Sequence, residues 1–228
     1  MVVAVAAASR SDELAALRTS VSDCTACRLA ETRTQVVFGS GDPGAELMFV
    51  GEAPGFHEDQ QGLPFVGAAG KLLERLLAGI GLARDDVFIG NVLKCRPPGN
   101  RDPLGDEIEA CQNHLFRQID LIQPRVVATL GNFATKLLSG SPAGITRVHG
   151  REQHVRLGHS EVLLYPIYHP AAALYTQAML GVLEEDFRHL PELLSREPAL
   201  AGPGEGAAAE IAAAEPTASE PATQLGLF

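Results

Sequence analysis

The chain has 228 residues, 46% of them apolar, with 18 Lys and Arg against 28 Asp and Glu, for a formal net charge of −10. That length suits one well-cored domain with residues to spare, and no apolar run reaches the eighteen or so residues that span a bilayer, which excludes a membrane-crossing helix. The acidic balance argues against a broad basic face for nucleic acid. Residues 196–228, however, hold five Glu and one Arg, and the remainder carries basic stretches at Lys94, Arg96 and Arg101 and at Arg147, His149, Arg151, His154 and Arg156, so bulk charge decides nothing about DNA.

Met1 to Ala8 is Ala- and Val-rich with no basic residue ahead of it, unlike a secretory signal, and a cytoplasmic, nucleoid-associated location is expected. Ser11 is placed to cap a helix from Asp12 to Arg18 that leads into Cys24 and Cys27. Apolar runs of strand length follow at Leu47 to Val50, Val87 to Val92, Val126 to Leu130 and Val162 to Tyr168. Between and after them lie helical patterns at Ala68 to Ile80, Asp106 to Ile122, Asn132 to Leu138 and Met179 to Leu194. Apolar strands alternating with amphipathic helices predict a parallel sheet covered on both faces. The expected fold is α/β, a three-layer α/β/α sandwich around a mainly parallel four-stranded sheet, occupying residues 1–195. From about Arg196 the composition turns to Ala, Glu, Pro, Gly and Thr. Such a segment buries too little surface to offset its ordering entropy and is predicted to be disordered.

Cys24 and Cys27 form a C-x2-C pair, and Cys95 and Cys111 are the only other cysteines. A reducing cytoplasm disfavours disulfides, and a C-x2-C turn aims two sulfurs at one centre that a distant pair can complete. The spacing therefore predicts a four-thiolate metal site, iron or zinc, joining the N-terminal segment to the middle of the chain. In doubly wound folds, function gathers where strands end on the carboxyl side. Here the strand ends run into Gly51-Glu52-Ala53-Pro54-Gly55, Asn91 with Lys94-Cys95-Arg96-Pro97-Pro98, and Tyr168-His169-Pro170-Ala171-Ala172.

These loops, with Gly62-Leu63-Pro64-Phe65-Val66-Gly67 and the four cysteines, closely resemble the family 4 uracil-DNA glycosylases, bacterial type, over roughly Cys24 to Leu194. The resemblance implies a 4Fe-4S cluster on Cys24, Cys27, Cys95 and Cys111 and a monofunctional, monomeric enzyme acting on uracil-containing DNA. It also implies roles in the pocket. Asn91 would read uracil, because a primary amide presents an acceptor and a donor to the N3–H and O4 of the base; the plain alternative is an Asn closing a strand-end turn. Phe65 would stack on the extruded base. His169 would stabilise the negative charge that develops on uracil as the glycosidic bond breaks.

Glu52 is the candidate acid of the first motif, able to orient water or hold its loop, and Gly51 with its neighbours offers backbone amides to uracil O2 or a phosphate. Ala53 stands where a sister family has an Asp, which makes a base-free, dissociative route the economical expectation. Glu58 would fill the space beside uracil C5 and exclude thymine. Leu174 and Tyr175 would wedge into the duplex gap, and His149, in Arg147-Val148-His149-Gly150, would contact the DNA backbone where relatives tend to carry Arg. The tail ending Gln224-Leu225-Gly226-Leu227-Phe228 is similar to the pentapeptide with which bacterial repair proteins dock on the sliding clamp, Gln224, Leu225, Leu227 and Phe228 being its anchors. Rival readings are a relative trapped covalently on DNA through a loop histidine and a non-catalytic cluster protein. The loop Pro97-Pro98-Gly99-Asn100-Arg101-Asp102-Pro103 carries no histidine, which disfavours the first.

Overall fold

Strands that are apolar on both faces have to sit between two layers. The computed structural model describes residues 9–196, and the predicted tail with its Gln224 to Phe228 ending lies outside the described residues. The elements in chain order are α1 (Arg10–Ser22), β1 (Ser40–Gly41), β2 (Leu47–Gly51), α2 (Phe56–Gln61), α3 (Ala68–Gly79), β3 (Phe88–Asn91), α4 (Gly105–Ile122), β4 (Val126–Leu130), α5 (Asn132–Ser139), α6 (Ile145–Val148), β5 (Gln153–Leu157), β6 (Ser160–Ile167) and α7 (Gln177–Ser195). The strand order is β1-β3-β2-β4-β6-β5. The inner four strands are mutually parallel, and β1 and β5 pair antiparallel at the two edges.

The sheet thus has six strands where four were expected. The four predicted strands are the parallel ones. The edge strands escaped notice for a physical reason: β1 is only Ser40 and Gly41, and β5 is one-sided, with His154 and Arg156 exposed, so neither shows a continuous apolar run. A second correction concerns α1. Its cap is Ser9, not Ser11: the Ser9 hydroxyl accepts from the Asp12 N–H at 3.2 Å while the Asp12 carboxylate accepts from the Ser9 N–H at 3.2 Å. An acid three residues beyond the cap completes that reciprocal box.

Alternation along the strands separates two cores. Met48, Val50, Phe88, Val127 and Leu164 point to one face, where Leu14 and Val21 of α1, Leu115 and Ile119 of α4 and Ala134 and Leu138 of α5 cover them. Leu47, Phe49, Ile89, Ala128 and Ile167 point to the other, against Leu73 and Leu77 of α3 and Leu183, Phe187 and Leu190 of α7. The expected three layers are present. The parallel register sets Gly51 opposite Asn91 and Leu130 opposite Ile167, so the carboxyl ends of the four inner strands share one rim.

Candidate active site

The loops leaving that rim enclose a cavity of about 330 Å³ lined by Glu52, Ala53, Pro54, Gly55, Glu58, Phe65, Ala69, Asn91, Pro97, Asn100, Arg101 and His169. Every pocket residue expected from the sequence is on this list except Gly51, which lies beneath it. A Cβ on Gly51 would come within 2.4 Å of the Asn91 Oδ1 and 2.9 Å of the Phe65 ring, so only glycine leaves both side chains in place.

Asn91 is 2% exposed. Its backbone carbonyl accepts from the Lys94 ammonium at 2.8 Å. Its side-chain amide lines the cavity with no hydrogen-bond partner among the described residues. An Asn that merely closed a turn would spend that amide on the backbone.

His169 shares the cavity, with its ring centroid 5.6 Å from that of Phe65 and the two planes inclined by 28°. The Ala171 N–H donates to His169 Nδ1 at 3.1 Å. In a neutral imidazole this places the proton on Nε2, where it can be donated. Burial holds the ring neutral, pushing its pKa down to about 4 against a smaller opposing effect from Glu58. Glu52 moves the other way: burial first, and the negative charge of Asp102 second, raise its pKa to about 7.

Two of the residues that build the cavity wall carrying Phe65, Arg84 and Gly70, are not signalled by the sequence. Phe65 adopts a left-handed backbone with φ of +52°, a conformation that costs a bulky residue energy and needs external support. Arg84 supplies part of it, donating to the Phe65 carbonyl at 3.0 Å and also to the Pro64 carbonyl. Gly70 supplies the rest, since a Cβ there would meet the Phe65 carbonyl oxygen at 1.8 Å. Glu58 accepts from the Val66 and Gly67 N–H groups at 2.9 and 3.1 Å, so its carboxylate clamps this same turn as well as lining the cavity. The opposite wall is tied down by Arg101, which makes a two-pronged contact with the buried Glu107 at 2.9 and 2.5 Å. Glu107 lies in α4, and its partner is six residues away in the loop, a pairing that no periodic pattern reveals.

Other expected residues separate. Tyr175 is 67% exposed, whereas Leu174 packs against the α3–α7 core. His149 is engaged inward: its Nδ1 lies 3.1 Å from the Asp186 carboxylate, and its ring packs on Tyr168 at 4.6 Å.

Behind the cavity, Cys24, Cys27, Cys95 and Cys111 line one small space with Arg33, Lys94 and His114. Three nitrogens reach the sulfurs: the Lys94 N–H donates to Cys111 at 3.3 Å, Arg33 donates to Cys95 at 3.6 Å, and His114 Nε2 is 3.6 Å from Cys24. Among the described residues no group of three or more His, Cys, Asp and Glu is drawn together as the ligands of one ion. The four sulfurs line one space, and the donors around them suit thiolate charge, so these residues fit a thiolate-held metal group.

Residues 38–192 match the uracil DNA glycosylase superfamily. Similar proteins include a type-4 uracil-DNA glycosylase of Sulfurisphaera tokodaii, 49% identical over 187 residues covering 80% of this chain and 85% of that protein. Another type-4 uracil-DNA glycosylase, from Thermotoga maritima, is 41% identical over 180 residues, 78% and 92% of the two chains.

The chain belongs to the type-4 uracil-DNA glycosylases.

A type-5 uracil-DNA glycosylase of Pyrobaculum aerophilum is more distant, 32% identical over 181 residues covering 71% of this chain and 75% of that protein. The type-4 relatives come from archaea as well as bacteria, so the match marks the family and not a bacterial branch of it.

The raised Glu52 pKa has a stability consequence for this glycosylase. A carboxyl whose folded pKa exceeds its unfolded value of 4.5 favours the fold fully below that pH, and the advantage is lost as pH rises to about 7. Glu52→Gln should therefore unfold at a higher urea concentration than the parent above about pH 7, with the gain vanishing below 4.5. A gain that is independent of pH would show that the Glu52 carboxyl is not buried as described.

Proposed function

We propose that the chain extrudes a uracil nucleotide from DNA and hydrolyses its N-glycosidic bond, leaving an abasic site and starting base excision repair. Uracil-DNA glycosylase activity is the activity of its family, and the unpartnered Asn91 amide in the same cavity as the His169 Nε2–H is the observation that carries the residue-level reading. The amide would accept from uracil N3–H and donate to O4. Cytosine reverses that edge and would leave buried polar groups unpaired, at about 1–3 kcal/mol each. Phe65 would recover the stacking that the base loses on leaving the duplex.

In the reaction the N1–C1′ bond breaks, its electron pair passing to uracil N1 and O2, and water adds to C1′ while its proton leaves for the base or solvent. A neutral Nε2–H beside O2 lowers the barrier by meeting the developing charge without itself giving up a proton. With Ala53 in the first motif, no carboxylate stands there to activate water. Glu52, with a pKa of about 7, would order the loop and solvent and is not required as a base. Lys94 is wholly buried and bonded to Asn91 and Gln118, which supports a monofunctional enzyme without Schiff-base chemistry.

The cysteine site would hold a 4Fe-4S cluster on Cys24, Cys27, Cys95 and Cys111. When bound, the cluster supplies cross-linking and no chemistry at the base. Its ligand residues would tie the segment before β1, the loop after β3 and helix α4 to one point. The C-terminal Gln224, Leu225, Leu227 and Phe228 would dock on the bacterial sliding clamp, with residues 197–223 as tether.

Incubation with a uracil-containing oligonucleotide followed by alkali should break the strand at the uracil. Asn91→Ala should lower the rate at least about a hundredfold. A gel-stable protein–DNA adduct would instead favour the covalent relative. Glu52→Gln should lose less than about tenfold in turnover, and a loss of several decades would refute the base-free route. Deleting 224–228 should abolish binding to the sliding clamp while activity on naked oligonucleotide is kept; unchanged clamp affinity would refute the docking role.

A further inference from the structure

Phe56 opens α2 immediately after Gly55 of the cavity wall, and it is 52% exposed. A single exposed ring is ordinary on a protein surface. This one is built into something larger. The Arg96 guanidinium lies over it, 5.1 Å from the ring centroid, and the Arg96 Nε–H donates to the Asn100 side-chain oxygen at 2.7 Å. Asn100 itself holds a left-handed backbone, φ +54°, and lines the cavity. His57 packs edge-on against the ring, centroids 5.5 Å apart. Arg96 follows Cys95 and precedes Pro97, another cavity residue, so ring and guanidinium join the two sides of the mouth. No carboxylate pairs with Arg96 among the described residues, which leaves its charge available on an otherwise acidic chain.

We infer that Phe56 and Arg96 form a stacking platform at the cavity mouth for the nucleobase next to the extruded one. The inference rests on the glycosylase reading and deepens it by naming a second nucleotide subsite. The ring and the guanidinium plane over it suit any base, because every base offers a π-face, and the guanidinium charge offers a partner to a flanking phosphate. Tyr175, the other large exposed aromatic among the described residues, lies six residues beyond His169 and does not line the cavity. Extrusion strips a flanking base of one stacking partner, and Phe56 with Arg96 replaces it.

The test uses the full chain and single-stranded oligonucleotides with one 2′-fluorinated, cleavage-resistant uridine, read by fluorescence anisotropy. The base on its 5′ or 3′ side is either present or replaced by an abasic spacer. For the parent, one of the two spacers should weaken binding about tenfold. Phe56→Ala should weaken binding to the intact strand by a similar factor and be indifferent to that spacer, while Phe56→Tyr restores the parent behaviour. On cleavable uridine, Phe56→Ala should raise KM and leave kcat within about twofold. Equal spacer effects in the parent and in Phe56→Ala, or no effect of either spacer, would overturn the platform. Failure of the glycosylase reading shows separately, as binding by the parent without any uracil release.

Discussion

The lysine buried behind the cavity sets the geometry of everything in front of it. Lys94 is 1% exposed, and its ammonium is held between the Asn91 carbonyl at 2.8 Å and the Gln118 side-chain oxygen at 2.6 Å. Burial lowers its pKa to about 8, and an amine in such a place persists only with partners of this kind. Gln118 in turn donates to the Phe38 carbonyl at 2.8 Å, and the Lys94 carbonyl accepts from the Val37 N–H at 2.7 Å. The end of β3, helix α4 and the segment leading into β1 are thereby held together. The bond from Lys94 to the Asn91 carbonyl anchors the backbone that carries the cavity-lining Asn91 side chain. The Lys94 N–H reaches the Cys111 sulfur, and Cys95 is the next residue. Pocket and cysteine site are two sides of one construction.

The electrostatics of the pocket follow the same economy. His169 is kept neutral and tautomerically defined, Glu52 is half-titrated near neutral pH, and Glu58 spends its charge on two backbone N–H groups. Such a cavity greets a neutral base with directed dipoles and little net charge. The negative charge that would develop on a bound uracil as its glycosidic bond broke would meet the His169 Nε2–H. Preorganised donors of this sort act in the transition state more than in the ground state. Basic groups stand beside this cavity: Arg101 lines it, and Arg96 lies over the Phe56 ring next to it.

Much of this was legible in the residues because the signals were strong and local. Four runs of continuous apolar residues bounded by turn signals predict the central strands, and the ends of three of them with the segments that follow carry the cavity residues foreseen. The parts that were not legible depend on long-range or one-sided contacts. Edge strands β1 and β5 lack apolar runs. Arg84 reads as a surface arginine until the strained Phe65 turn folds against it, and Gly70 reads as an ordinary helix glycine until the Phe65 carbonyl packs on it. Glu107 reads as a helix-start acid, yet it is fully buried under Arg101. Lys94 reads as part of a basic stretch until the sheet and α4 are brought together around it and its ammonium is buried against Asn91 and Gln118. His149, placed toward DNA by its position in the sequence, has in addition a partner that no local pattern reveals, the Asp186 carboxylate at 3.1 Å.

Selection of the base by the Asn91 amide, which has no partner among the described residues, would show in single-turnover rates on two oligonucleotides that differ only in carrying uracil or cytosine at one position. Uracil should be released, and cytosine at a rate lower by at least about a thousandfold. Comparable rates on the two bases, or release of neither, would contradict it.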